Sequence, residues 1–371
     1  MARSPRHFQR ILICRTDNIG DVVLTLPLAG YLKTHFPHVQ VDMLCRPYAA
    51  PLVRHCRFID RVLAPEAGDD LEQLLTHGNY DTVIFAFPDR RLARAAKRAR
   101  IRNRVGTSHR LFHLFTCNKL VHFSRARSTL HEAQLNFALL RPLGIDVRPS
   151  LQELPAYYGL SALHNKAVSV LREREGCYFI LHTKSNNNGR EWPLSHYTRL
   201  ARDFVTHPDI HFWVTGSAAE GLLLQEQAPE LLALPNVSNL CGKFDLDGLT
   251  ALIGASDGLV ASGTGPLHMS AALGRPTLGL FPPLNPIDPA RWGALGKRAR
   301  NLCRPQACSG CPGAADCACM RALTPDMVRQ VLFEWAEKQG STAPAYDRAG
   351  CRHGIFRLAP VFISTTDNQL L

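Results

Sequence analysis

Short apolar runs separated by amphipathic stretches set the rhythm of this chain. Arg10–Cys14, Val39–Leu44 and Thr82–Phe87 are strand-length and rich in β-branched residues, whereas Asp21–Lys33 has the spacing of a helix. The same alternation returns with Cys177–Leu181, His211–Thr215, Gly258–Ser262 and Pro276–Phe281. Apolar strands alternating with helical stretches predict α/β sheets, parallel and covered by helices on both faces. The rhythm lapses between residues 148 and 170, a stretch interrupted, with its upstream flank, by Pro142, Pro149 and Pro155. The chain therefore reads as two halves, residues 1–165 and 166–371. Ligands of open α/β sheets bind beyond the carboxyl ends of the strands, so the loops there are the places to look for chemistry.

Three loops stand out. Arg15-Thr-Asp-Asn-Ile-Gly-Asp21 leaves the first strand; Gly20 lets the backbone turn tightly or approach a ligand closely, and Asp21 is expected at a helix N-terminus. There it is either an N-cap or a carboxylate able to act as a general base. Ser262-Gly-Thr-Gly-Pro-Leu-His268 follows a strand and enters an Ala-rich helix, Met269 to Leu273. Its glycines, Thr264 and Pro266 suit a backbone cradle for a phosphate at a helix N-terminus. His268 falls about one turn inside, as a core histidine or a ligand. The spacing matches neither a dinucleotide fingerprint nor a P-loop. His182-Thr-Lys-Ser-Asn-Asn-Asn-Gly-Arg-Glu-Trp-Pro193 is the third, and Arg190 in it is suited to a diphosphate.

Composition adds an asymmetry. Hydrophobic residues make up 46% of the 371 positions and charged residues 20%, which excludes a disordered chain. The formal net charge is +12, from 43 bases and 31 acids. Arg90 to Arg127 contains twelve bases and no acid, so the rest of the chain carries 31 of each and is neutral. An anionic partner is expected to meet that segment, around Arg94, Lys97, Arg98 and Arg100. The stretch Arg90–Arg104 lacks stacking aromatics and no helix-turn-helix signature accompanies it, which argues against nucleic acid. No run approaches the ~18–20 apolar residues of a membrane span, and Ile11–Cys14 is too short for a signal-peptide core. A cytoplasmic protein with reduced thiols is expected, any membrane contact being peripheral.

Taken together, the loops resemble the ADP-heptose:lipopolysaccharide heptosyltransferases, glycosyltransferase family 9. The resemblance is carried by Arg15 to Pro27, Arg104-Val-Gly106, His131-Glu-Ala-Gln-Leu-Asn136, Arg190-Glu-Trp-Pro193, Cys241-Gly-Lys243, Ser262 to Pro276 and Cys319-Met-Arg321. It implies a GT-B fold of two Rossmann-like domains with the active site in the cleft between them. The N-terminal domain would bind the acceptor and the C-terminal domain the nucleotide sugar, with no cofactor. The implied reaction is an inverting, metal-independent transfer of heptose from ADP-heptose to the inner core of lipopolysaccharide, at the cytoplasmic face of the inner membrane. Carried over by position, Asp21 is the general base and Arg190 neutralises the leaving diphosphate. Thr264, Gly265, Pro266 and His268 bind the phosphates, while Asn18, Gly20, Lys184 and Lys243 complete the substrate-binding set. Some members carry Asp where this chain has Gly263, which leaves open another nucleotide sugar. A non-catalytic anion-binding protein is the alternative of a different class.

Cys303, Cys308, Cys311, Cys317 and Cys319 crowd one short segment of the C-terminal half. They could hold a structural zinc or iron, stay reduced or form a local disulfide, since the spacing lacks the paired CxxC of a zinc ribbon.

Overall fold

The computed structural model describes residues 8–123, 125, 128–172, 175–185, 189–308, 317–338 and the backbone of 362–364. The chain forms two compact units, residues 1–161 and 162–371, each built on one open sheet. The first unit runs β1 (Arg10–Cys14), α1 (Ile19–Val23), α2 (Leu26–His35), β2 (Gln40–Leu44), α3 (Ala50–Arg54), β3 (Arg61–Leu63) and α4 (Leu71–Gly78). It continues with β4 (Thr82–Phe85), α5 (Arg90–Arg98), β5 (Asn103–Thr107), α6 (Leu111–Thr116), β6 (Lys119–Val121) and α7 (Glu132–Phe137). Its sheet has the order β3-β2-β1-β4-β5-β6, parallel throughout. Ile11 to Cys14 are buried because helices cover both faces, so this strand reads as a continuous apolar run rather than an alternation.

The second unit runs α8 (Lys166–Val170), β7 (Cys177–His182), α9 (Leu194–Asp203), β8 (Ile210–Thr215), α10 (Ala218–Gln227), α11 (Pro229–Leu232), β9 (Val237–Asn239) and α12 (Leu246–Ala255). It ends with β10 (Gly258–Ser262), α13 (Gly265–Ala272), β11 (Thr277–Phe281), α14 (Pro289–Trp292), β12 (Ala299–Cys303), α15 (Ala318–Arg321), α16 (Pro325–Lys338) and β13 (Phe362–Ser364). The sheet order is β13-β12-β11-β10-β7-β8-β9. All pairings are parallel except that of β13, which lies antiparallel on β12 at the edge. Phe179, Phe212, Val260 and Leu278 from the sheet join Trp192, Trp335 and Leu200 in one buried core.

In each unit the chain winds outward from its first strand, returns, and winds outward the other way. The turning points lie between β1 and β4 and between β7 and β10. Divergent loops leave a crevice there at the carboxyl edge of the sheet.

The helix expected over Asp21–Lys33 is two helices. Pro27 has no N–H to donate, and the Leu28 N–H bonds Thr25 O rather than Leu24 O. Leu24 O instead accepts from the Asn136 side chain at 3.1 Å, so α7 is tied to the break between α1 and α2. The seven strands expected from the sequence lie within a residue or two of their expected positions, β1 and β10 without any shift, while β3, β5, β6, β9, β12 and β13 were not anticipated.

Candidate active site

The loop after β1 is organised by a buried arginine. Arg15 ends the apolar run of β1, and its guanidinium meets Asp17 at 2.7 Å, Glu132 at 3.4 Å and Asp21 at close range. It also donates to Ala86 O and to Asn136 Oδ1. Glu132 and Asn136, both buried on α7, brace it from behind, and Arg125 adds a second cation to Glu132 at 3.0 Å. Three carboxylates thus surround Arg15 and keep it charged despite its burial. Asp21 bears the cost. Burial is the largest cause and repulsion from Asp17 and Glu132 adds to it, outweighing attraction to Arg15; the Asp21 carboxyl is pushed up to about 6.

Two expectations for this loop are corrected. Asp21 is no N-cap: Asn18 occupies that position with no side-chain cap bond, and Asp21 is the third residue of α1 with its side chain turned to Arg15. Gly20 makes no left-handed turn, because it is the buried second residue of α1. Asn18 itself is exposed. The sequence reading passed over Arg15 and Glu132. The signal was an arginine set directly at the end of a buried strand, where an unpaired charge is prohibitively costly and partners are required.

A cavity of about 220 Å³ adjoins this loop at the carboxyl ends of the first four strands. Thr16 follows β1, Arg46 follows β2, Glu66 follows β3, and Asp89 and Arg91 follow β4. Tyr48, half-exposed nearby, donates to Asp17 O at 2.9 Å. The cavity's mixed cationic and acidic lining suits a hydroxyl-rich ligand.

In the second unit two loops meet beside the crevice between β7 and β10. The Trp192 N–H donates to Ser262 Oγ at 3.2 Å, and the buried indole donates to Leu323 O at 2.6 Å. A Cβ on Gly189 would lie 3.2 Å from Gly263 O, so a side chain there would crowd the opposing loop. Glu191 holds the loop's shape, accepting from the Ser185 N–H at 2.8 Å and pairing with Lys184 at 2.8 Å. Thr264 caps α13 by position without a side-chain cap bond, and Pro266 lies in the first turn, as expected. The helix starts at Gly265, which agrees with Pro266 in its first turn and carries it upstream of the Ala-rich stretch Met269 to Leu273. His268 is buried in the following turn.

Three buried polar atoms on these loops lack a hydrogen-bond partner among the described residues: Thr183 Oγ1, Arg190 Nε and Thr264 Oγ1. Leaving one buried polar group unpaired costs about 1–3 kcal/mol, so three within two adjoining loops is an expensive arrangement. Lys184 is not open to an anion in the same way, since Glu191 already meets its charge. Lys243 stands apart, exposed on the loop after the edge strand β9, which Gly242 ties to the β8 loop through Gly216 O. Gly263 leaves little room for a side chain, because its Cβ would meet Phe281 at 3.0 Å.

The basic segment forms α5, with Leu92, Ala93, Ala95 and Ala96 buried against the sheet and its bases facing outward. The charge is presented on one side of the helix. Arg98 pairs with Glu72 of α4 at 2.5 Å, and Lys97 donates to Phe115 O at 2.9 Å. Arg94 and Arg100 are exposed with no carboxylate partner among the described residues.

The cysteine segment is only partly described, and Cys311 lies outside the described residues. Cys303 ends β12, Cys308 is half-buried, Cys317 precedes α15 and Cys319 lies within it. Burial, then the charges of Asp288 and Cys319, push the Cys303 thiol up to about 12. No three His, Cys, Asp or Glu side chains among the described residues converge as metal ligands. Nor is any helix among them long and apolar enough to cross a membrane.

Comparison with known proteins fits this architecture. A family model described as glycosyltransferase family 9 (heptosyltransferase) matches residues 70–318. A Haemophilus influenzae protein described only as a glycosyltransferase is 27% identical over 76% of this chain and 85% of its own length. Lipopolysaccharide heptosyltransferase 1 of Escherichia coli is 23% identical, covering 89% of this chain and 98% of that protein. The solved structure of E. coli ADP-heptose lipopolysaccharide heptosyltransferase II superposes with a TM-score of 0.68 at 19% identity, over 90% of this chain and all of that one. The two Rossmann-like units are thus a GT-B fold, and this chain is an enzyme belonging to glycosyltransferase family 9, the heptosyltransferases.

Proposed function

We propose that this enzyme transfers heptose from ADP-heptose to the inner core of lipopolysaccharide, by a single inverting displacement that needs no divalent cation. The observation that carries this reading is the set of unpaired buried donors, Thr183 Oγ1, Arg190 Nε and Thr264 Oγ1, around the first turn of α13. Diphosphate oxygens would complete all three, with the helix N-terminus adding its positive end. Gly265 and Pro266 leave the cradle open, while Lys243 supplies longer-range positive charge and Lys184, paired with Glu191, holds the loop's shape. The acceptor would lie in the first unit, by Asp21, Asn18 and the cavity beyond β1–β4.

Chemically, the acceptor oxygen bonds to the anomeric carbon as the bond from that carbon to the diphosphate breaks. The hydroxyl proton passes to the Asp21 carboxylate, and ADP leaves with its new charge held by Arg190 and the α13 N-terminus. Asp21 suits the task because its crowded carboxyl sits near 6, closer to neutrality than an ordinary aspartate. A lipid-linked, phosphorylated acceptor also accounts for the basic face of α5, which would bring the enzyme to the cytoplasmic surface of the inner membrane.

One observation favours a second reading. Gly263 replaces an Asp present in some relatives, and Phe281 fills the space beside it, so a family 9 enzyme using another nucleotide sugar is the alternative. Thermal-shift measurements with ADP, UDP and GDP and their sugars separate the two. Stabilisation by ADP-heptose above the others supports heptosyl transfer, and preference for UDP or GDP sugars overturns it.

A further inference from the structure

We infer that the outward face of α6 is an apolar wedge that enters an anionic lipid surface beside the basic helix α5. This rests on the docking role proposed for α5 and adds to it the part that salt would not release.

The helix is short, yet it is fixed from one side. His113 is buried and accepts from the Thr107 N–H at 3.1 Å, and Phe112 packs against the core of the first unit. Two bases of the charged segment hold its C-terminal end: Lys97 donates to Phe115 O at 2.9 Å and Arg104 to Thr116 O at 2.7 Å. Cations at helix C-terminal carbonyls are favourable, and here they replace the bonds a six-residue helix cannot make for itself.

With α6 pinned in this way, Leu111, Leu114 and Phe115 fall at i, i+3 and i+4 on the opposite side. They are 71%, 47% and 68% exposed. Leu120 on the following edge strand β6 is exposed as well. A water-facing helix side made of two leucines and a phenylalanine is costly unless it is covered. What surrounds it indicates the cover. The neighbouring α5 presents Arg90, Arg91, Arg94 and, just beyond its end, Arg100, all exposed. No acid occurs from Arg90 to Arg127. Apolar side chains beside the cationic face of α5 match the boundary between headgroups and acyl chains, where the leucines and phenylalanine insert and the bases meet phosphates. A protein partner would need a patch equally rich in acid, whereas an anionic bilayer supplies both chemistries over any area.

The test is co-sedimentation of the full-length protein with vesicles of phosphatidylcholine alone or mixed with phosphatidylglycerol, at low and high salt. Wild type should bind the mixed vesicles and keep a residual fraction bound at high salt. The triple variant Leu111→Ser, Leu114→Ser, Phe115→Ser should melt like wild type, bind at least tenfold more weakly at low salt and lose the residual fraction. Phe115→Trp should shift its emission to the blue on binding. If the triple variant partitions as wild type while Arg94→Glu with Arg100→Glu abolishes binding, the wedge is wrong and the electrostatic docking stands. If wild type binds neither vesicle, the docking reading itself falls, and the wedge with it. If wild type is a dimer that the triple variant breaks without change in vesicle binding, the face belongs to a second copy and the inference is overturned.

Discussion

Asp21 shares one guanidinium with Asp17 and Glu132, and that crowding decides when it can accept a proton. With the carboxyl raised to about 6, the accepting form is lost as pH falls through that value. Turnover should therefore rise with pH through about 6 and level off above it, as read from initial rates at saturating donor. Because the folded value lies above that of the unfolded chain, the ionised group detracts from stability at neutral pH and is relieved as pH falls toward 4. Asp21→Asn should accordingly lower turnover by at least about 10³-fold while costing no more than about 1 kcal/mol of stability. Arg15→Lys keeps the charge but loses the fork that reaches several carboxylates, so it should move the acid limb upward in pH and slow the reaction about tenfold or more. Of these residues only Asp21 was legible from the sequence, because a Gly-Asp after a strand is visible locally. Arg15's partners are not. Glu132 and Asn136 lie more than a hundred residues away, and nothing in their own neighbourhood announces a buried ion cluster.

At the scale of elements, the two loops at the β7–β10 crevice trade stability for unpaired donors. Thr264→Val keeps the shape of the side chain and removes a buried hydroxyl without a partner. It should leave the melting temperature unchanged or raise stability by up to about 1 kcal/mol, yet weaken ADP binding roughly tenfold by titration calorimetry. A loss of stability with unchanged ADP affinity would show that the hydroxyl serves the fold. The seven central strands were legible almost to the residue, since parallel strands buried on both faces are continuous apolar runs bounded by polar loops, whereas short, partly exposed strands such as β3, β6 and β9 carry no such run and were not read. Helix bounds were legible in part. The start of α13 was legible through Pro266, which suits a first helical turn, whereas the break between α1 and α2 at Pro27 was read through, and Asn136 secures it only in the folded chain. Helix α5 was legible as basic but not as one-sided. Its apolar face is mostly alanine, and the acid that pairs with Arg98 comes from α4.

Over the whole molecule, net charge concentrates in the first unit, and in the second the unpaired donors Thr183, Arg190 and Thr264 gather on the loops at the β7–β10 crevice. In the proposed reaction Arg190 and the α13 N-terminus meet the diphosphate's charge, so the transfer rate should survive a chelator such as EDTA within about twofold. A rate that collapses on chelation and returns with magnesium would mean that a cation does this work. The two-unit architecture was legible because it is written in periodicity over hundreds of residues. Donor and acceptor identity were not, since one family scaffold serves several sugars and the discriminating contacts are few. The measurement that bears most directly on the central claim is transfer itself. Purified protein is incubated with ADP-heptose and lipopolysaccharide core lacking heptose, or carrying its first heptose, and the acceptor mass is followed over time. Wild type should add one heptose to one of these acceptors with release of ADP, and Asp21→Asn should add none. No addition by wild type to either acceptor, or addition by Asp21→Asn at near wild-type rate, would contradict the account.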